Sequence, residues 1–126
     1  MIWWIAYNGS RGEVLVPRVR RCASFLCRLR GLTFRRRLPS DEGLLLVGRR
    51  TGRWETSIHM FFVFFPIAVL WLDAEGRVVD KRLARPFRPI YLPRTPARDV
   101  LEASPDVLDR VAQGDRIQFV RQEAMR

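Results

Sequence analysis

Ser57-Ile58-His59-Met60-Phe61-Phe62-Val63-Phe64-Phe65-Pro66-Ile67-Ala68-Val69-Leu70-Trp71-Leu72-Asp73-Ala74-Glu75-Gly76 is the stretch on which the fold turns. It is apolar from Met60 to Leu72, 13 residues with one proline inside. A bilayer-crossing helix needs about 20 apolar residues, so the run is too short for that. Nor can it be one long soluble helix, because Pro66 would break it. What remains is extended chain packed on both sides, a kink at Pro66 and a hairpin turn over Asp73–Gly76. The run predicts the buried centre of a β-rich domain and names no reaction.

The flanks extend the pattern. Residues 2–7 and 13–19 read as a β-hairpin around Asn8-Gly9-Ser10-Arg11-Gly12, since Asn-Gly favours a tight reversal. Pro17 lacks a ladder donor and argues for an edge position or a strand end. Cys22, Phe25, Leu26 and Leu29 recur at helical spacing, and Gly31 is placed to end that helix. Leu44–Val47 reads as a short buried strand and 48–52 as an exposed loop. Arg77–Leu83 reads as the return strand after the hairpin, and Asp99–Ala103 and Arg116–Arg121 as further strands. Pro86 to Pro96 holds four prolines and predicts a loop. Ser104, Pro105 and Asp106 together specify a second helix start, with Val107, Leu108 and Val111 as its apolar face. The expected architecture is α+β: one domain over 1–126, a mostly antiparallel β-sandwich or barrel with two short helices.

Charge is unevenly spread over the 126 residues, which carry +10 in all. Residues 1–40 hold nine arginines against Glu13, while residues 99–126 are net acidic at −2. A basic field attracts anions, nucleic acid and anionic lipid among them. Only Lys81 among the 23 basic residues is a lysine, a bias that codon composition explains as readily as phosphate recognition. Cys22 and Cys27 fit neither a redox C-x-x-C pair nor a zinc knuckle, and read as reduced core or helix cysteines of a cytoplasmic protein. Trp3-Trp4-Ile5 has no basic segment before it and reads as a first strand, not a signal peptide.

Several elements then resemble a known family. Arg28-Leu29-Arg30-Gly31-Leu32-Thr33, Glu42-Gly43-Leu44-Leu45, Ile58 to Ala68, Val100-Leu101-Glu102 and Gly114-Asp115 follow, in order and spacing over about residues 20–120, the pattern of DUF192, a family of small prokaryotic domains with no established activity. The resemblance implies a compact β-sandwich or barrel with short helices. Three positions depart from it. Thr33 replaces a methionine, Ala68 replaces an aspartate, and Ser104-Pro105-Asp106 replaces a glycine-containing segment. If the family aspartate serves a site, this chain lacks it.

Candidate site residues follow from chemistry and from the resemblance. His59 is the only histidine, and histidine ordinarily titrates near neutrality, so it is a candidate acid or base beside a pocket. Against that, it can simply hydrogen-bond at a strand end. Arg28 matches the family arginine and could clamp an anion or pair with Glu102. Asp115 reads mainly as a turn-fixing carboxylate. Arg35, Arg36 and Arg37, with Arg49, Arg50 and Arg53, form the candidate anion-binding group. No metal site, cofactor or catalytic set is implied. The leading reading is a non-catalytic binding or accessory domain with a site near His59, Arg28 and Glu102. The alternatives are a small enzyme using His59 and a weak, non-specific nucleic-acid binder; a small anionic ligand is the other partner the charge suits.

Overall fold

A computed structural model describes residues 2–24, 27, 31–32 and 37–122. Seven strands, β1 (Trp4–Asn8), β2 (Glu13–Cys22), β3 (Glu42–Leu46), β4 (Ile67–Leu72), β5 (Val78–Ala84), β6 (Asp99–Ala103) and β7 (Ile117–Arg121), form one sheet in the order β5-β4-β6-β3-β2-β1-β7. All neighbours are antiparallel except β2 and β3, which run parallel from Arg18↔Glu42 to Cys22↔Leu46. The sheet curls until its outer strands meet at one end. There Arg77 bridges Arg116, the Ile117 amide donates to Gly76 O at 2.8 Å, and the Val78 amide donates to Asp115 O at 2.9 Å. Gly76 makes this meeting possible: its φ is +80°, and a Cβ there would stand 2.6 Å from Ile117 O.

The curl gives the sheet two faces with separate cores. Every strand contributes to the inner one, through Ala6, Val16, Leu45, Leu70, Val78, Leu101 and Ile117 among others. The 3₁₀ helix Pro105–Arg110 plugs it with Val107, and Val111 just beyond the helix also packs there. On the outer face Leu44, Val69, Trp71 and Val100 are covered by loop residues Ile58, Met60, Val63, Tyr91 and Ala97. β4 serves both cores, so all six of its residues are buried. That matches the expectation of a strand buried on both faces.

The first half of the apolar run behaves differently. Residues 60–66 form a covering loop, not extended chain. A turn closed by Val63 N to Met60 O at 3.2 Å sends Met60 and Val63 into the outer core and leaves Phe61 and Phe62 outside. Pro17 is also not at an edge, since β2 lies inside the sheet. It occupies the register shift between Trp4↔Val19 and Ala6↔Val16, and pairing with β3 begins only at Arg18, so no donor is missed.

The helical expectations need correction. Cys22 ends β2, because pairing with β3 overrides the local helical pattern, and most of the helix expected over 22–31 lies outside the described residues. The cysteines are not reduced: Cys22 and Cys27 form a disulfide, their Cα atoms 5.5 Å apart, well within bridging range. One short helix, the 3₁₀ segment, is therefore described in place of two. Ser104 makes no side-chain cap to it, its hydroxyl donating instead to the Asp106 carboxylate. The far end is closed by Lys81, whose Nζ donates to the carbonyls of Leu108 and Val111, both at 2.8 Å.

Candidate functional site

Glu102 lies next to the end of β6, paired laterally with Leu44 of β3 and Val69 of β4. Strand alternation puts it on the outer face with Val100, beneath the covering loops. It is 5% exposed, and its Oε1 meets no hydrogen-bond partner among the described residues. Burial pushes its carboxyl up to about 7. Arg28, the expected partner, lies outside the described residues, as do Arg35 and Arg36.

His59 sits half-buried in the covering loop between Ile58 and Met60, its ring 5.8 Å from that of Phe61. The two covering loops are laced together here. Ile58 and Tyr91 exchange backbone hydrogen bonds of 3.0 and 2.8 Å, and Met60 bonds to Arg88 and Phe87 at 2.9 and 2.8 Å. Trp71 anchors the first loop from below, its Nε1 donating to Thr56 O at 2.8 Å. Asp80 anchors the second, accepting from the Arg94 amide at 2.9 Å.

Asp115 belongs to a different polar node. Its Oδ2 accepts from Asn8 Nδ2 and from the Ala112 amide, both at 2.9 Å, and Arg11 Nε stands 3.4 Å away. The Asn8 amide bond, then the Ala112 bond, hold its carboxyl below the usual range. Asn8 Oδ1 in turn accepts from the amides of Ser10 and Arg11. This node ties β1 to the start of β7 and has the work of a closure. Among the candidate arginines, Arg37, Arg49, Arg50 and Arg53 are exposed, and Arg53 fastens the covering loops by donating to Pro93 O at 2.8 Å.

Two surfaces escape the sequence reading. The first is a crown of half-exposed phenylalanines, Phe61, Phe62, Phe64 and Phe87, on the covering loops. Phe87 meets Phe62 and Phe64 edge-on, at 6.2 and 5.4 Å between ring centres. The second lies on the other half of the sheet, where β1 begins and β2 and β7 end. A depression of about 750 Å³ there is lined by Ile2, Trp4, Arg20, Arg21, Ala23 and Arg121. Arg21 stacks over Trp4 at 5.6 Å, and nearby Arg18 stacks over Trp3 at 4.4 Å. Among the described residues, Arg20, Arg21 and Arg121 make no ion pair, and no carboxylate lines the depression. The signal for it, Arg20-Arg21 following two tryptophans, is visible in sequence only once β1 and β2 are paired. Among the described residues no group of three or more His, Cys, Asp or Glu side chains could hold a metal ion.

The model of the DUF192 family, described as an uncharacterized ACR, matches residues 6–119. The chain belongs to this family. DUF192 relatives include the UPF0127 protein of Thermococcus gammatolerans, 36% identical over 114 residues, which span 89% of this chain and 72% of the relative. A UPF0127 protein of Pyrococcus horikoshii is 34% identical over 114 residues, covering 89% of this chain and 96% of its own length. Two solved structures share the fold. One is a candidate transcription regulator from Sinorhizobium meliloti, with TM-score 0.80 and 24% identity over 94% of this chain and 92% of that one. The other is a protein of unknown function from Novosphingobium aromaticivorans, with TM-score 0.81 and 20% identity over 93% of this chain and 84% of that one.

In this DUF192 chain Ala68 is fully buried in the inner core, paired across the sheet with Leu83 and Ala103. No described helix is long and apolar enough to cross a membrane.

Proposed function

We propose that this domain is a non-catalytic binding module for a polyanion, engaged at the arginine–tryptophan end of the sheet. The observation that carries the reading is the depression lined by Arg20, Arg21, Arg121 and Trp4, with no carboxylate among the described residues of its wall. With no counter-charge among the described residues, these three guanidinium groups repel one another, and an anion supplied from outside relieves that repulsion. Arginine placed over tryptophan also presents a cationic and aromatic surface on which an unpaired base can stack. The net charge of +10 and the description of the Sinorhizobium structure as a candidate transcription regulator point the same way, toward nucleic acid.

The reading predicts weak binding that is strongly salt-dependent and shows little sequence preference, because phosphate contacts carry no base information. Titration with short single-stranded RNA and DNA at roughly 50 and 200 mM salt tests it. Affinity should fall on the order of tenfold or more between the two, and Arg20→Ala with Arg21→Ala should flatten the salt slope. Absence of binding at the lower salt, or a double variant that binds as tightly as the parent, would exclude the reading.

A further inference from the structure

On the opposite half of the sheet, the phenylalanine crown lies outside both cores. Phe61, Phe62, Phe64 and Phe87 are 48%, 50%, 54% and 49% exposed, and Ile90, three positions after Phe87, is 48% exposed. Soluble surfaces scatter such residues singly, whereas these meet edge-on as one cluster. The backbone beneath is strained in a specific way. The described residues other than glycine with positive φ are Phe62 at 56° and Phe87 at 64°. Left-handed backbone costs a side-chain-bearing residue about 1 kcal/mol or more, and both instances present rings of the same cluster. From the end of β5 into the loop that carries Phe87, Arg82, Arg85 and Arg88 are exposed, Arg94 further on pairs with Asp80, and residues 81–98 contain no acidic side chain.

The geometry points to a docking surface for an anionic lipid bilayer. Area and charge both select that occupant. Four half-exposed phenylalanines offer about 400 Å² of apolar surface. A stable protein interface needs roughly 800 Å² from each partner. A second copy of the chain, docked symmetrically, would also set these arginines against themselves. A bilayer needs no complementary shape: rings enter the headgroup region while arginines hold anionic lipids around them. This surface lies apart from the arginine–tryptophan depression, so it extends the proposed function without depending on it.

Sedimentation with vesicles tests the inference, comparing phosphatidylcholine alone with phosphatidylcholine mixed with phosphatidylglycerol. The domain should sediment with the mixed vesicles and only marginally with the neutral ones. Phe62→Gly combined with Phe87→Gly removes two rings where glycine suits the backbone, so the melting temperature should hold while vesicle affinity falls on the order of tenfold. Phe64→Ser, at a position without positive φ, is the second variant and should lose several-fold. RNA affinity should stay unchanged in both, which separates this surface from the depression. Failure to sediment with the mixed vesicles would overturn the inference. So would full affinity in the glycine variant, or a loss of RNA binding in it, which would assign the crown to nucleic acid.

Discussion

Met60–Phe65 and Ile67–Leu72 are both apolar throughout and lie either side of one proline, yet they have opposite fates. The second segment is the most buried strand of the molecule. In the first, Phe61, Phe62 and Phe64 are about half exposed. Hydropathy does not distinguish them; hydrogen bonding does. β4 has a strand on each side, β5 and β6, so its backbone is satisfied in the interior and its side chains fill two cores. Residues 60–66 have no such ladder. They reach their hydrogen bonds through a turn and through Phe87 and Arg88, and a turn must point its central residues outward. An apolar run is therefore buried only as far as its backbone can be paired.

The largest test of that contrast is Trp71→Ala. Trp71 is fully buried in the outer core and holds Thr56 O, so the change should cost about 3–5 kcal/mol in chemical denaturation. The matched change on the other side of Pro66, Phe64→Ser, should alter stability by about 0.5 kcal/mol or less. A Phe64 variant as damaging as the Trp71 one would erase the distinction.

Next in size is Glu102, which lies beside Val69 of the buried segment. Burial raises its folded pKa to about 7 from the ordinary 4.5, so the folded state holds a proton that the unfolded chain has released. The stability from the neutral carboxyl is fully present below the unfolded value and is lost as pH rises through the folded one. The loss above neutrality is about 3 kcal/mol. Melting curves at about pH 5 and about pH 8 should show it, and Glu102→Leu should remove most of the difference and raise stability at the higher pH. An unchanged pH profile in that variant would show that another group is responsible.

Opening the Cys22–Cys27 bridge should have a smaller effect. A loop that short is worth about 2 kcal/mol in the unfolded chain, so a mild reductant should lower the denaturation midpoint without abolishing folding.

What could be read from the chain follows the same division. β4, the Asp73–Gly76 turn and the return strand were legible because turn chemistry and alternation are local. The exposure of Phe61 and Phe62 was not, since nothing in a run of phenylalanines says which will find a backbone ladder. Cys22, expected on a helix, ends β2 instead through parallel pairing with Leu46, a contact 24 positions away. The depression joins Trp4 to Arg121, from the two ends of the chain, and only the closed sheet brings them together. Of the residues singled out, Glu102 lies buried beneath the covering loops, whereas Asp115 lies in the node that joins β1 to β7.

That closure also bears on how the molecule ages. Asparagine followed by glycine is the dipeptide most prone to losing its side-chain amide, because the glycine nitrogen attacks the neighbouring carbonyl carbon and closes a cyclic imide. Here both reacting groups are held. The Gly9 amide donates to Arg116 O at 2.9 Å, and the fully buried Asn8 side chain is bonded at both its oxygen and its nitrogen. The nitrogen cannot swing onto the carbonyl without first undoing the contacts that join β1 to β7. A sequence that would otherwise be a chemical clock is thus stopped for as long as the sheet stays shut.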